Sequence, residues 1–260
     1  MLALKVNNLS RFFGGVKAVS GVNMNIEHGE IIGLIGPNGA GKTTLFNLLT
    51  GIYDPTEGDI VYNLEKETSI KNMKPYEIAA SGVSRTFQNI RLFNDMTVGE
   101  NVRVGFHKNT KYGLFSSFFR LPAFYKEEKA ADEKVMELLK VFNLADKKDE
   151  LAKNLPYGEQ RRLEIARALA SNPKVLLLDE PAAGMNPNET KELTDLIMWI
   201  RDKFNITVIL IEHDMSLVMS VCSRIYVLEY GQLIAEGTPE EIKNDPKVIK
   251  AYLGGEEEEC

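Results

Sequence analysis

A glycine-rich segment near residue 40 has the residue types and the spacing of a phosphate-binding loop. Residues 36–43 read GPNGAGKT and fit the pattern G-x-x-x-x-G-K-[ST]. The glycines let successive backbone N–H groups turn inward around phosphate oxygens. Lys42 is then expected to reach the β- and γ-phosphates of a nucleoside triphosphate, and the Thr43 hydroxyl to bind Mg²⁺. The predicted nucleotide-binding residues are Gly36, Pro37, Asn38, Gly39, Ala40, Gly41, Lys42, Thr43 and Thr44.

Two adjacent carboxylates end an apolar segment later in the chain. Residues 174–180 read KVLLLDE, which is typical of a buried strand followed by Asp179 and Glu180. In P-loop enzymes the acidic residue at the end of such a strand helps to hold Mg²⁺, which assigns Asp179 to the metal. Glu180 is placed to orient or deprotonate an attacking water. A kinase or a GTPase does not need this second carboxylate, so the pair favours an ATPase.

A sheet that is covered on both faces would position these residues. Apolar segments of strand length lie at residues 30–35, 83–87, 175–178, 207–211 and 225–228. Such segments are typical of a parallel sheet packed between helices. Val22, Met24 and Ile26 alternate with polar residues instead, as in a half-buried strand, and residues 42–49 are predicted to form the helix after the loop. The sequence therefore predicts an α/β fold.

The predicted organisation is a single domain, residues 1–260, that contains a helical insertion. Residues 1–88 and 171–260 are assigned to a nucleotide-binding core with a β subdomain. Residues 89–170 are assigned to a helical subdomain. Residues 255–260 form a short acidic tail that is predicted to be disordered.

The composition narrows the function further. The chain has 260 residues and a net charge of −6, which argues against a dedicated nucleic-acid-binding protein. Its two cysteines, Cys222 and Cys260, form no disulfide or metal-binding pattern and fit a reducing cytosol. The sequence shows no signal peptide and no apolar segment of the roughly 20 residues that a membrane-spanning helix needs. Any role at a membrane is therefore expected to require a membrane partner.

Taken in order, these motifs resemble those of the ATP-binding subunit of an ABC transporter. The resemblance covers nearly the whole chain and implies a P-loop NTPase (RecA-like) core, an antiparallel β subdomain and an inserted α-helical subdomain. It assigns Phe13 to stacking on adenine, with Phe12 as the rival residue and packing in a core as the alternative role. It assigns Gln88 to Mg²⁺, to catalysis and to the link between nucleotide and helical subdomain.

The same resemblance places the family's signature motif, L-S-G-G-Q, near residue 156. It implies nucleotide contacts from Pro156, Tyr157, Gly158, Glu159 and Gln160. Pro156 replaces the serine of the motif and Tyr157 replaces its first glycine, so the serine hydroxyl contact is absent. Backbone N–H groups of Tyr157 and Gly158 remain as donors, at the start of a helix predicted over residues 159–170. In the family this segment contacts the γ-phosphate that the opposite subunit holds.

Two further segments complete the resemblance. Residues 181–186, PAAGMN, resemble the loop that crosses between paired subunits, with Asn186 where many members have aspartate. His213 follows an apolar strand and matches the switch histidine, which contacts the γ-phosphate and braces Glu180. The resemblance thus implies a head-to-tail pair of ATPase subunits, identical or related, with two ATP molecules between them.

The wording of the motifs points to one branch of the family. LPYGEQRRLEIARAL and DEPAAGMNP resemble the ATPase subunit that drives uptake of branched-chain and other hydrophobic amino acids. Residues 106–125 add aromatic side chains, which either pack internally or line a groove for the transmembrane subunit. These are Tyr112, Phe115, Phe118, Phe119 and Phe124. The partners implied are transmembrane permease subunits and, through them, a substrate-binding protein, at the cytoplasmic face of the cell membrane.

Two alternatives remain open from the sequence alone. One is an ABC transporter with another cargo, such as urea, a lipid or a lipopolysaccharide component, because partners outside this chain select the cargo. The other is an ABC ATPase of DNA repair or translation. Such proteins usually carry a long coiled coil or two ATPase domains, whereas this sequence shows one P-loop and no sustained heptads.

Overall fold

The computed structural model describes residues 1–106 and 122–253 of the chain. Contacts divide the chain into two compact units, Met1–Arg85 together with Lys174–Cys260, and Thr86–Pro173. They are called the first and the second unit below. The predicted acidic tail at residues 255–260 lies outside the described residues.

The strands of the described residues all lie in the first unit. In chain order they are β1 (Leu2–Phe13), β2 (Val16–Glu27), β3 (Ile31–Ile35), β4 (Glu57–Asn63), β5 (Glu67–Ser69), β6 (Val83–Arg85), β7 (Val175–Asp179), β8 (Thr207–Ile211), β9 (Arg224–Glu229) and β10 (Gln232–Gly237). They form a four-stranded sheet in the order β2-β1-β4-β5 and a six-stranded sheet in the order β10-β9-β3-β8-β7-β6.

The α-helices of the described residues fall in both units. In chain order they are α1 (Lys42–Leu49), α2 (Pro75–Ser81), α3 (Val98–Gly105), α4 (Pro122–Val141), α5 (Tyr157–Ala170), α6 (Pro187–Phe204), α7 (Met215–Val221), α8 (Pro239–Asn244) and α9 (Pro246–Leu253). Helices α3, α4 and α5 belong to the second unit and the others to the first. The predicted α/β fold, with a P-loop NTPase core, an antiparallel sheet and inserted helices, is confirmed.

The six-stranded sheet brings the predicted site together because five of its strands run parallel. Strands β9, β3, β8, β7 and β6 are parallel neighbours, and β10 adds an antiparallel edge. Ile211 pairs with Leu34 on one side and with Asp179 on the other, so β3, β7 and β8 end at the same level. Every residue of these three strands is buried, as a sheet covered on both faces requires. The segments that follow them therefore meet at one edge.

The predicted strand at residues 83–87 is shorter in the structure. Pairing with β7 ends at Arg85, opposite Leu177. The carbonyl of Phe87 accepts a 2.6 Å hydrogen bond from the Arg161 guanidinium instead of a sheet partner. This partner lies 74 residues further along the chain, so the local sequence does not reveal it.

The antiparallel sheet follows the predicted alternation. In β2, Val22, Met24 and Ile26 are buried, and Asn23 and Asn25 between them are exposed. The buried side chains join one hydrophobic core with residues of helix α1 and of the parallel sheet. This core fixes helix α1, and with it the end of the glycine-rich loop, against both sheets of the first unit.

Candidate nucleotide-binding and hydrolysis site

The glycine-rich loop connects β3 to α1, where the sequence predicts it, and the predicted helix over residues 42–49 matches α1 at both ends. Gly36 has a φ of +150°, and a Cβ atom on it would lie 2.0 Å from the Leu228 carbonyl oxygen. Gly41 has a φ of +100°, and a Cβ there would lie 2.3 Å from the Ala18 carbonyl oxygen. Both positions need glycine for conformation and for space. The loop is thus pressed against its neighbours at both ends.

Lys42 is buried and curls back into the loop. Its Nζ atom donates to the carbonyl oxygens of Gly36 and Pro37, at 2.6 and 2.9 Å. Burial lowers the pKa of the Lys42 ammonium from its usual value, and the nearby charges of Glu180 and Asp179 oppose that shift. The ammonium is therefore held at the loop, close to both carboxylates. Because the first N–H groups of α1 have no partners within the helix, the same place offers backbone donors to an anion.

Asp179 ends β7 and is 2% exposed. Its Oδ2 atom accepts a 2.7 Å hydrogen bond from Arg85 Nη2, and both side chains of this ion pair are buried. The same guanidinium donates to the Asn47 side chain of α1 at 2.7 Å. Arg85 thereby ties the acidic end of β7 to the helix after the glycine-rich loop. Arg85 was not predicted from the sequence, where its place directly before the Thr86-Phe87-Gln88 segment is the only signal for it.

Glu180 and His213 face each other across the ends of β7 and β8. His213 Nε2 lies 2.6 Å from Glu180 Oε1. A carboxylate only accepts, so the Nε2 hydrogen is the donor. Glu180 has a φ of +48°, which is rare for a residue with a side chain and which turns the chain directly after β7. Its N–H donates to the Ile211 carbonyl at 2.9 Å, so the strained residue is held by the neighbouring strand.

Phe13 is the last residue of β1, and its side chain is exposed. Its ring packs edge-on against Tyr53, with 5.3 Å between the ring centroids, and the Arg11 guanidinium lies 4.7 Å from the centroid. The rival residue Phe12 is half-buried, with Lys17 Nζ 5.8 Å from its ring centroid. The exposure of Phe13 therefore favours its predicted stacking role over packing in a core, and favours Phe13 over Phe12 for that role.

Gln88 lies in the second unit, where its side chain is exposed and its backbone is fixed. The fully buried Arg161 donates from Nη2 to the Gln88 carbonyl at 2.7 Å and from Nη1 to the Phe87 carbonyl. Arg161 also pairs with the buried Glu164 at 2.8 Å, and Glu164 accepts the Arg91 N–H. Arg161 and Glu164 both lie on α5, so this helix holds the backbone of the predicted catalytic glutamine.

The signature segment forms the start of α5. The helix begins at Tyr157, with Pro156 as N-cap, and not at residue 159 as predicted. Proline fixes its own φ but leaves the next residue free to start the helix, which brings Tyr157 and Gly158 into the first turn. Tyr157 is exposed. Glu159 pairs with Lys147 at 2.6 Å, and the Gln160 side chain donates to the Leu155 carbonyl at 2.8 Å.

The structure thus groups the predicted site residues in two sets. The first unit carries Phe13, the glycine-rich loop, Asp179, Glu180 and His213, and the second carries Gln88 and residues 156–160. One further acidic residue of the first unit, Glu212, is buried beside His213 and was not predicted. Its only local signal is its place between the buried strand β8 and the histidine. Residues 112, 115, 118, 119 and 124, the aromatic set, lie outside the residues whose side chains are described.

Two further observations bear on the site. Across residues 1–106 and 122–253, no helix is long and apolar enough to cross a membrane. Within the same residues, no group of three or more His, Cys, Asp or Glu side chains is arranged to hold a metal ion.

Comparison with known proteins places the chain. A family model described as ABC transporter matches residues 19–183, and one described as branched-chain amino acid ATP-binding cassette transporter matches residues 232–258. The high-affinity branched-chain amino acid transport ATP-binding protein LivG of Escherichia coli (strain K12) is 50% identical, over 96% of this chain and 97% of that protein. Its counterpart BraF of Pseudomonas aeruginosa is 48% identical over the same shares.

Two solved structures support the same placement. An ATP-binding cassette of an ABC transporter in its ADP conformation has 34% sequence identity and a TM-score of 0.83, over 98% of this chain and 99% of that one. A nucleotide-free ATP-binding cassette from an ABC transporter has 36% identity and a TM-score of 0.82, over 97% and 99%.

A glycine-rich loop between a parallel strand and a helix, with an acidic neighbouring strand end, defines the class of P-loop NTPases. Within that class, the chain belongs to the ABC transporter ATP-binding family. The resemblance found in the motifs is thereby confirmed.

Proposed function

We propose that this chain is the ATP-hydrolysing subunit of an ABC importer for branched-chain amino acids. The observation that supports this cargo is the similarity to LivG and BraF along 96% of the chain, together with the family match at residues 232–258. The motif wording at residues 155–169 and 179–187 points to the same branch. The family match at residues 232–258 lies outside the nucleotide site, which is common to ABC ATPases of every cargo.

The glycine-rich loop binds the phosphates of ATP. Residues 36–44 supply backbone N–H groups, and Lys42 exchanges its contacts with the Gly36 and Pro37 carbonyls for phosphate oxygens. Phe13 provides an exposed ring for the adenine. The site contains the donors, the cation and the aromatic surface that a nucleoside triphosphate requires.

The residues of the site fit Mg²⁺ as well. Thr43 and Asp179 would hold it through a hydroxyl and a carboxylate, which are hard oxygen ligands, and the family resemblance adds the amide oxygen of Gln88. The lack of a three-residue metal cluster in the described chain agrees with an ion that takes its other ligands from phosphate and water. When bound, the ion neutralises charge that develops on the phosphates.

Glu180 and His213 perform the hydrolytic step. Glu180 accepts a proton from water as the water oxygen forms a bond to the γ-phosphorus, and the bond from that phosphorus to the bridging oxygen of ADP breaks. His213 holds the Glu180 carboxylate through its 2.6 Å hydrogen bond. The Nε2 donor keeps the carboxylate oriented, and the imidazole contacts the γ-phosphate.

A second ATPase subunit, identical or a paralogue, completes each site. Its signature segment, residues 156–160, presents the first turn of α5 to the γ-phosphate. The N–H groups of Tyr157 and Gly158 take the place of the missing serine hydroxyl. Two subunits packed head to tail then share two ATP molecules, and hydrolysis releases the contacts that hold them together. Two-fold symmetry makes both sites equivalent if the subunits are identical.

Permease subunits in the membrane convert this closing and opening into transport. The ATPase pair lies at the cytoplasmic face of the cell membrane, attached through the permeases. A substrate-binding protein delivers the amino acid on the other side and does not contact this chain.

Reconstitution tests the cargo. The chain is co-expressed with the two permeases of its gene neighbourhood, co-purified and placed in proteoliposomes, with the binding protein added. Leucine, isoleucine or valine on the binding protein is expected to stimulate ATP hydrolysis and to be taken up, whereas urea is not. Stimulation by urea or by a lipid component, without stimulation by branched-chain amino acids, would overturn the proposed cargo and leave the ATPase function in place.

A further inference from the structure

Glu212 is a buried acid that the hydrolytic step above does not use. It follows β8 directly and is 4% exposed. Its Oε1 atom accepts a 2.6 Å hydrogen bond from the Ala182 N–H, and its Oε2 atom accepts the N–H of His213 at 3.1 Å. The Asp214 N–H is a third donor to the same carboxylate. All three partners are backbone groups, and all three donate.

This arrangement suits a charged carboxylate and no other side chain. Burial raises the pKa of Glu212, the three N–H donors counteract that rise, and the nearby charge of Glu180 adds to it. An ionised carboxylate accepts at both oxygens, and hydrogen bonds to a charged acceptor are the stronger kind. A glutamine of the same size would turn one NH₂ group toward a backbone N–H, donor against donor.

The three donors come from the two loops that carry the catalytic pair. Ala182 lies two residues after Glu180, on the segment that leaves β7. His213 and Asp214 belong to the segment that leaves β8. Glu180 itself has the strained φ of +48°, and its own N–H is bonded to the Ile211 carbonyl. The backbone on each side of the Glu180–His213 contact is therefore anchored at one point.

We propose that Glu212 is the positioning residue for the Glu180–His213 pair: its carboxylate ties the loop after β7 to the loop after β8 and so sets the distance between the catalytic carboxylate and the imidazole. This inference rests on the proposed hydrolytic roles of Glu180 and His213. Glu212 does not touch the nucleotide; it acts through the two backbones that it holds.

Amide hydrogen exchange tests the anchoring without any nucleotide. In Glu212→Gln, exchange in the peptides that cover residues 181–184 and 212–215 is expected to be at least fivefold faster than in the wild type. The matched control is Glu30→Gln, which removes a carboxylate that also accepts a backbone N–H at 2.6 Å but lies before β3, at the opposite end of the sheet. Unchanged exchange in both loops of Glu212→Gln would overturn the inference.

Steady-state kinetics tests the consequence for hydrolysis. Glu212→Gln is expected to lower kcat for ATP at least tenfold and to change KM less than threefold, whereas Glu30→Gln changes neither. In the His213→Ala background, the same Glu212→Gln substitution is expected to lower kcat less than twofold, because the contact that it positions is already lost. A full tenfold loss in that background would show an effect unrelated to the pair and would overturn the inference. A wild-type protein without ATPase activity would overturn the proposed function, whereas the exchange experiment would still decide whether Glu212 anchors both loops.

Discussion

The Arg85 guanidinium donates a 2.7 Å hydrogen bond to the Asp179 carboxylate, and both side chains are almost fully buried. The predicted magnesium ligand is thus one half of a buried ion pair that also reaches Asn47 on α1. Arg85 has two effects: it balances the charge of Asp179, and it fixes the end of β7 relative to the glycine-rich loop.

Removal of Arg85 is expected to destabilise the protein strongly. Arg85→Met leaves the Asp179 charge buried without this partner, and such a loss costs about 3–5 kcal/mol of unfolding free energy. Arg103→Met is the matched control, because its pair with Asp132 is largely exposed and contributes about 1 kcal/mol or less. Urea titration of both variants measures the difference. Equal destabilisation by the two substitutions would contradict this reading of the Arg85 pair.

Glu180→Gln is expected to separate ATP binding from hydrolysis. The amide keeps the shape of the side chain but cannot accept the proton, so turnover should fall by about 10²–10⁴-fold, the usual contribution of a general base. ATP affinity should stay within a factor of about three, since the glycine-rich loop is intact, and size-exclusion chromatography with ATP should show a persistent dimer. Glu229→Gln, at the end of β9 in the same sheet, serves as the control. Near-normal turnover in Glu180→Gln would remove Glu180 from the base role.

Two glycines of the loop are expected to respond differently to alanine. Both Gly36 and Gly39 have positive φ, so each substitution strains the backbone by about 1 kcal/mol or more. Only Gly36→Ala also places a methyl group 2.0 Å from the Leu228 carbonyl; a Cβ on Gly39 meets no atom within 4 Å. Gly36→Ala should therefore weaken ATP binding more than tenfold and lower the melting temperature, whereas Gly39→Ala should change the melting temperature less. Titration with a fluorescent ATP analogue and thermal unfolding measure the two effects. A larger loss of melting temperature in Gly39→Ala than in Gly36→Ala would contradict the prediction.

The stability of the protein is expected to fall at high pH partly through Tyr226. This tyrosine is fully buried, its hydroxyl donates to the Asn25 carbonyl, and burial raises its pKa from 10.0 to about 12. A raised pKa means that the contribution is present below pH 10 and is lost as the pH rises through about 12, by roughly 3 kcal/mol in all. Tyr226→Phe should thus be less stable than the wild type at pH 8, by about 1 kcal/mol for the lost hydrogen bonds.

The difference between the two proteins should shrink above pH 10, vanish at about pH 11 and reverse in sign by about pH 12, because the wild type alone loses the tyrosine contribution of roughly 3 kcal/mol. Cys222 and Tyr62 have raised pKa values too, and they titrate alike in both proteins, so they cancel in the comparison. Urea titrations at pH 8, 10 and 11 measure the difference. A gap that stays constant or widens with pH would contradict the assignment.

Local sequence patterns were sufficient for the elements that carry their own signal. The helix at residues 42–49 and the strand at residues 207–211 were predicted with the ends that the structure shows, because a glycine-rich loop marks the helix and a largely β-branched segment marks the strand. The strand at residue 83 was predicted too long, and the side chain that binds the Phe87 carbonyl in the structure lies 74 residues away. The signature helix was predicted to begin two residues late, since the effect of Pro156 as its N-cap was not anticipated.

For the site, too, local patterns identified the residues that lie in motifs and missed those that depend on distant partners. The loop, Asp179, Glu180 and His213 were identified from motifs, and the structure brings Glu180 and His213 into contact. Arg85, Arg161 and Glu212 were missed. Their partners lie 94, 74 and 30 residues away, and a single arginine or glutamate has no periodicity that would mark it as buried. Residues that hold the site residues in place through distant partners can therefore be recognised only once the fold is known.

The Arg161 guanidinium, which holds the successive carbonyls of Phe87 and Gln88, has a mechanical consequence inside the second unit. Two parallel hydrogen bonds from one planar group resist rotation as well as separation. The backbone at Gln88 and the helix that begins at Tyr157 are therefore expected to move together. A displacement of the Gln88 backbone is expected to move α5, and with it the signature residues at the start of that helix.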